Sequence, residues 1–401
     1  MQPIYNILPH DYDKYMPPII KGRPLTLKVT FWILSITEIN EMSQDFTVDL
    51  YLRMIWHDYR LLFPVCELRP FIIMDSDQLE DVWRPDLFFK QAKKSSRHDI
   101  ARLNAALKVN RADQSIFYSE RLTITNFCAF DFRFFPLDRQ RCSLPVESFN
   151  FYAKYVNLTF QPPGIYFNNF KFKIPQYTLS HVEARDCSYY YHYQGSYINH
   201  TCVEASFIFD RQFSYYFVQM YLPSILIVLV SFLSFWIPVE NVPGRVMLGV
   251  TSLLTLATQF TTAQRSLPPV SYLKAMDVWM FFCIVVVFFA MGEFTLAYNL
   301  KDLRLGVSRR VEPALVRPRK VATVTEPAGE EVNAAKPRLA FGGTPGSEHQ
   351  PHQAEDLSSR FLKWLNRGNS SVIDNLSKII FPITFAVFNI IYWLYYTRTQ
   401  K

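Results

Sequence analysis

Glycine is scarce in this chain, 12 residues of 401. No Gly-rich loop that would cradle phosphates is present, nor a zinc-ligand spacing, nor a Gly-x-Ser-x-Gly nucleophile elbow. The chain therefore reads as a non-enzyme with no cofactor. A second lack is positional: no long apolar run occurs before about residue 213, so the first half holds no candidate membrane span. Residues 1–20 also lack an apolar leader segment. Because that half is placed outside the cell below, the numbering is expected to begin after a leader was removed or replaced. A third lack is local. Between Asn241 and Met276 there is no Asp or Glu.

Aromatic residues are abundant, with 35 Phe and 23 Tyr, which suits a β domain joined to membrane helices. Four dense apolar blocks follow the first half, at Tyr215–Ile237, Val246–Thr262, Leu273–Tyr298 and Ile379–Tyr396. Each approaches the length needed to cross a bilayer, and four crossings return both termini to one side. The formal charge of +7 is not spread as a nucleic-acid surface. Lys301, Arg304, Arg309, Arg310, Arg317, Arg319 and Lys320 crowd the segment just after the third block, which marks that loop as cytoplasmic and the N-terminal half as extracellular. No nucleic-acid partner is expected. The domains read as 1–213, an extracellular β-sandwich; 214–298, three membrane helices; 299–376, a cytoplasmic loop, mostly disordered, with a terminal amphipathic helix; and 377–401, a fourth membrane helix with a short extracellular tail.

Within 1–213, LTLKVTFWIL from Leu25 and FTVDLYLRMIW from Phe46 alternate with period two. Further strands are expected near Leu107–Val109, Ser115–Asn126, Cys142–Glu147, Phe170–Tyr177 and Thr201–Arg211. Short turn segments between them suggest an antiparallel sandwich. Cys128, Cys142, Cys187 and Cys202 lie in this oxidising compartment. Pairing them as the local loops Cys128–Cys142 and Cys187–Cys202 is one of three connectivities. Cys66 is left over and Cys283 falls in the third span. Asn157 and Asn199 head glycosylation sequons on the outside; Asn369 and Asn375 head two more on the cytoplasmic side.

The second block is only half apolar. Met247, Thr251, Leu254, Thr258 and Thr261 step by four and three and so share one narrow helical stripe. Copies of that stripe around an axis would make a wettable tube with an apolar girdle at Leu254 that gates by dewetting. Threonines also serve to pack membrane helices together, and the stripe alone does not separate the two uses. A four-span transporter or adhesion receptor is the remote alternative, but the spans show neither the repeats nor the Gly/Pro breaks of a transporter.

Cys128 and Cys142 enclose thirteen residues that contain Phe135-Pro136-Leu137-Asp138. With four spans, a Thr-rich second span, Trp83-Arg84-Pro85-Asp86, Arg211 before the first span and Ser266-Leu-Pro-Pro-Val-Ser-Tyr272 after the second, the chain resembles the Cys-loop pentameric ligand-gated ion channels. It is similar to the glycine-receptor and invertebrate glutamate-gated chloride branch, and to pH- or zinc-gated chloride channels of invertebrates. The resemblance implies a homopentamer around a central pore in the plasma membrane, contacting lipid. Each chain would have four other subunits, of the same or a related type, as partners. Pro243-Gly244-Arg245 resembles the Pro-Ala-Arg of anion-selective members. With Arg245 and Arg265 at the two mouths and no acidic ring, the pore is expected to pass chloride. Phe281 fills a position where relatives sensitive to macrocyclic lactones carry a small residue.

The resemblance also implies a site between subunits for a small extracellular agonist. Arg53 matches the arginine that holds an agonist carboxylate, a planar fork suited to that group. Ser119 matches its hydroxyl partner, with Arg121 on the same face. On the opposite subunit face Phe149, Tyr193 and Tyr197 would embrace an ammonium by cation–π contact, with Glu147 as countercharge. This favours an amino-acid-like agonist. The alternative is gating by protons, alkaline pH or zinc through His57, His98, His192 and His200, although their spacing is not that of a dedicated metal site. For coupling, the family places Phe135, Pro136, Leu137, Asp138 and Arg211 against the linker Arg265–Tyr272, stiffened by Pro268 and Pro269.

Overall fold

The computed structural model describes residues 7–20, 22–63, 69–74, 78–100, 102–167, 174–310 and 369–398. Tyr193, 300–310 and 369–371 are described by their backbone alone. Cys66, most of the segment expected as a strand at Phe170–Tyr177, and the cytoplasmic loop from 311 to 368 lie outside the described residues. The chain forms two compact units. One comprises Met1–Ile227, Leu254–Ile284 and Val387–Lys401; the other comprises Val228–Leu253 and Val285–Ala386.

The first unit contains the β domain. Thirteen strands are described: β1 Leu25–Asn40, β2 Asp45–His57, β3 Phe71–Met74, β4 Leu87–Phe89, β5 Ala92–Arg97, β6 Ala105–Asn110, β7 Ser115–Phe127, β8 Arg139–Ser148, β9 Val156–Phe167, β10 Tyr177–Asp186, β11 Tyr189–Tyr193, β12 Ser196–His200 and β13 Cys202–Arg211. A seven-stranded sheet runs β3-β6-β7-β2-β1-β9, with β5 also on β7; a four-stranded sheet runs β10-β13-β8-β4. All pairs are antiparallel except β1 with β9, which is parallel. The sandwich core follows from alternation. Val48, Leu50, Leu52, Met54 and Trp56 on β2 are buried while Asp49, Tyr51, Arg53 and Ile55 face the other way, apart from local burial of Asp49. Phe46 meets Phe207 and Phe209 from the other sheet in edge contacts at 5.8 and 6.4 Å, the geometry aromatic quadrupoles favour.

Disulfides join Cys128 to Cys142 and Cys187 to Cys202. The second closes the β11–β12 hairpin, whose two-residue turn Gln194-Gly195 has φ of 49° and 79°. Two successive positive φ values match the twist of a hairpin, and glycine takes the second without Cβ strain.

Four helices are long and apolar enough to cross a membrane: Phe213–Trp236, Val242–Arg265, Ala275–Asn299 and Val372–Arg398. The first carries a π turn at Phe217–Tyr221, immediately before Leu222-Pro223. Pro223 has no N–H for the carbonyl one turn back, and a wider turn accommodates the loss. In the first unit Trp279 donates to Ser224 Oγ at 2.9 Å, and Tyr392 donates to the carbonyl of Ala275 at 3.1 Å. In the second unit Phe232 meets Phe381 edge-on and Phe235 meets it at a tilt, at 6.1 and 5.1 Å. There a Cβ on Gly249 would come within 2.5 Å of the Met291 side chain, so a larger residue at that position would force Met291 to move.

Candidate functional site

β2 and β7 pair in a register that sets Arg53 directly opposite Ser119, and Tyr51 opposite Arg121. Both pairs lie on the sheet face turned away from the core. Arg53 lies flat on Trp32, its guanidinium carbon 4.2 Å from the ring centroid, and Trp32 stacks in turn on Tyr166 at 5.3 Å. A guanidinium held over an aromatic ring in this way is restrained by cation–π contact. The Nε of Arg53 is buried with no hydrogen-bond partner among the described residues. Such an orphaned donor is costly, and a ligand oxygen would relieve it. Arg121 differs: it is paired with Asp49 at 2.6 Å. That hydrogen bond outweighs the opposing effect of burial and raises the guanidinium pKa further above its usual range.

The second group lies on β4, β8 and the Cys187–Cys202 hairpin. Phe88 is opposite Glu147, and Cys202 is opposite Glu147 on the other side. Phe149 is well exposed and meets Phe88 edge-on at 5.5 Å. Tyr197 is also exposed and touches His192 at 5.2 Å. The side chain of Tyr193 lies outside the described residues. Glu147 is buried, but its carboxylate already has a cation: Lys90 Nζ sits 3.4 Å away and 3.8 Å over the Tyr189 ring. Burial acts to lower the Lys90 pKa, and the contacts to Tyr189 and Glu147 more than offset it, so the net direction is upward.

The four histidines do not converge. His57 faces Asp113 at 3.8 Å on the surface, His98 bonds Thr123 Oγ1 at 2.8 Å, and His200 lies among Tyr152, Tyr189 and Tyr191. Among the described residues, no three His, Cys, Asp or Glu side chains are grouped to hold a metal. Asn157 and Asn199 are both half-exposed, on β9 and β12.

At the far end of the sandwich the Cys128–Cys142 loop meets membrane-proximal chain. The Phe132 N–H donates to the Tyr272 hydroxyl at 3.0 Å. The carbonyls of Arg133 and Phe135 accept from the N–H groups of Ala275 and Met276 at 2.9 and 3.1 Å. These are the first donors of the third helix, which no turn of that helix can satisfy. The expected partner was the linker with Pro268 and Pro269. The Tyr272 bond meets the last residue of that linker, while the other described hydrogen bonds go to the helix start; Pro268 is buried and Pro269 exposed. Arg211, expected against that linker, turns into the sandwich instead. Its side chain has no exposure and pairs with Asp138 at 2.6 Å and with Glu41, between the rings of Phe135 and Tyr177, each 4.6 Å away. A guanidinium removed from water needs this full set of partners. Burial is the largest single influence and acts to depress its pKa; the contacts to Asp138, Tyr177 and Glu41 together outweigh it, and the net direction is upward. Leu137 and Asp138 are buried in the same cluster, and the Phe135–Pro136 peptide is cis.

In the second apolar helix, Val242–Arg265, the whole stripe Met247, Thr251, Leu254, Thr258 and Thr261 is exposed, Leu254 by 63%. Thr251, Thr258 and Thr261 donate to their own helix carbonyls, for example Thr251 to Met247 at 2.6 Å. Their hydroxyl oxygens thereby remain as outward acceptors. Asn241 caps this helix, its side-chain oxygen accepting from the Gly244 N–H at 3.3 Å, and Pro243 stands in the first turn. Arg245 corrects an expectation. It does not offer a free charge at the mouth; its side chain is 1% exposed and clamps Asp374 at 2.7 and 3.0 Å and the Ile237 carbonyl at 2.8 Å. Arg265, at the other end, is exposed.

A family model described as the neurotransmitter-gated ion-channel ligand binding domain matches residues 2–213. A second, described as the neurotransmitter-gated ion-channel transmembrane region, matches residues 220–363. The chain belongs to the neurotransmitter-gated ion channel family. It is therefore a ligand-gated channel subunit and a multi-pass membrane protein with an outer ligand-binding domain, in a family of pentameric channels that are not enzymes. Sequence reasoning missed four residues of this channel subunit that the geometry makes prominent: Trp32 under Arg53, Lys90 on Glu147, Glu41 on Arg211 and Asp374 on Arg245. Only Lys90 left a local signal, since it stands two residues beyond Phe88 and so shares its face.

Proposed function

We propose that this subunit forms a chloride channel whose pore is lined by the exposed stripe of the helix Val242–Arg265. We further propose that it opens when a small, carboxylate-bearing, amino-acid-like molecule binds between subunits at Arg53 and Ser119. The observation that carries selectivity is the N-terminus of that helix. It starts after Asn241, whose side-chain oxygen takes the Gly244 N–H and whose carbonyl takes the Arg245 N–H; no acid follows before Asp277, and Arg245 is spent on Asp374. A helix N-terminus bears about half a positive charge and attracts anions; a ring of such ends, with no acid along the helix itself, favours chloride. The orphaned Nε of Arg53 on its Trp32 platform supports a carboxylate at the outer site.

The test is whole-cell current from cells expressing the chain alone, with glutamate, glycine, GABA, histamine, acid, alkaline pH and zinc applied in turn. The expected current is evoked by a carboxylate ligand, reverses at the chloride potential when external chloride is changed, and is lost in Arg53→Ala. A reversal potential indifferent to chloride refutes the selectivity argument. A current evoked only by pH or zinc refutes the agonist assignment.

A further inference from the structure

We propose that Lys90 is a built-in cation filling the ammonium pole of the agonist site, so that the molecule opening the channel is a carboxylate that need bring no ammonium of its own. This rests on the reading above that the agonist binds at this face.

The register of β4 on β8 places Phe88 opposite Glu147, with Lys90 next along the same face; the Lys90 backbone N–H bonds the Pro145 carbonyl at 3.1 Å. A buried carboxylate beside aromatic rings is the arrangement that receives an organic ammonium, through ion pairing and cation–π contact together. Here both contacts are already made from within. The Lys90 ammonium lies 3.4 Å from one Glu147 oxygen and 3.8 Å over Tyr189, and the Tyr189 hydroxyl is 3.5 Å from the other. The stem of Lys90 is anchored in the sheet, so its ammonium is present at the millimolar or higher effective concentration of a short tether. A free ammonium must displace it from Glu147 or sit beside a like charge, and either weakens binding. The Arg53 fork, by contrast, keeps an unsatisfied donor. The two faces therefore offer an anion pole with a donor still unpaired and a cation pole already paired.

The experiment uses purified full-length channel and tetramethylammonium chloride as the probe, with sodium chloride as the control for ionic strength. Saturable stabilisation in thermal unfolding is the readout, so neither a current nor a known agonist is required. Wild type and Lys90→Arg should show none. Lys90→Met, checked as an intact assembly by size exclusion, should gain a saturable response, at least tenfold tighter than any in wild type. Equal binding by wild type and Lys90→Met overturns the proposal, and so does absence of binding in an intact Lys90→Met. A second measurement needs no variant. Reductive methylation of wild type, read by mass spectrometry, should modify Lys90 at least tenfold more slowly than exposed Lys94; equal rates overturn the occupancy of the cage. Failure here leaves the chloride reversal and the Arg53→Ala response untouched, so the two readings fail separately.

Discussion

Removing the carboxylate of Asp374 isolates the role of Arg245. In Asp374→Ala the guanidinium keeps the Ile237 carbonyl but loses both oxygens of the carboxylate it is hydrogen-bonded to, at a side chain 1% exposed. No water reaches it to compensate. Breaking a buried pair from one side costs about 3–5 kcal/mol, and every 1.4 kcal/mol is tenfold, so the folded-to-unfolded ratio should fall about a hundredfold or more. The assay is fluorescence-detected size exclusion of full-length protein, with the midpoint of thermal loss of the assembly peak. Asp374→Ala should be lost or strongly shifted down. The double variant Arg245→Met with Asp374→Met removes both charges and fills similar volume, so it should recover most of that stability. It should also keep its reversal at the chloride potential, because the Arg245 charge is cancelled inside the subunit. A stable Asp374→Ala would show that Arg245 is solvated. A double variant that no longer follows chloride would return Arg245 to the ion path.

Leu254→Ser should lower the agonist concentration for half-activation, or open the channel without agonist, because a hydroxyl wets the apolar girdle that the exposed Leu254 supplies; an unchanged dose–response curve refutes Leu254 as the gate. The Lys90 lock should be insensitive to ordinary pH. Its pKa is raised in the folded state, so its contribution is fully present below the unfolded lysine value of about 10.4 and is lost only as pH rises through the higher folded value. Wild-type indifference to tetramethylammonium should therefore hold from about pH 6 to about pH 9; sensitivity appearing within that window would contradict the ion pair.

The parts legible in the sequence were those governed by local periodicity. The four spans announce themselves by composition, and β1, β2, β7 and β13 by alternation, because one face of each is buried and the other is not. β10 runs from Tyr177 to Asp186, beyond the segment expected from Phe170, most of which lies outside the described residues. β9 was missed, since Pro162, Pro163 and Gly164 interrupt its pattern and a parallel partner, β1, needs no nearby hairpin to reveal it. The opposition of Arg53 and Ser119 was foreseen by resemblance and follows physically from a β2–β7 pairing without bulges. What remained hidden were partners far apart in the chain. Asp374 is 129 residues from Arg245, and Glu147 is 57 from Lys90. A charge in a sequence is visible; its cancellation is not.

That difference alters the selectivity argument as well as the list of contacts. Counting Arg245 as a free cation gives an anion pore with charge in its wall, strongly screened or unscreened according to exposure. Once Arg245 is paired within its own unit, the attraction falls to the summed backbone dipole at the start of the helix, where the Asn241 side chain takes the Gly244 N–H and its carbonyl the Arg245 N–H. Dipoles of this kind are weaker than a full charge but need no desolvation of a side chain to act. They hold chloride loosely, and loose holding is what conduction requires, since an ion bound tightly does not leave. Burying Arg245 thus serves two ends in this family member: it fastens the base of the pore helix to Asp374, and it keeps a strong anion trap out of the proposed ion path.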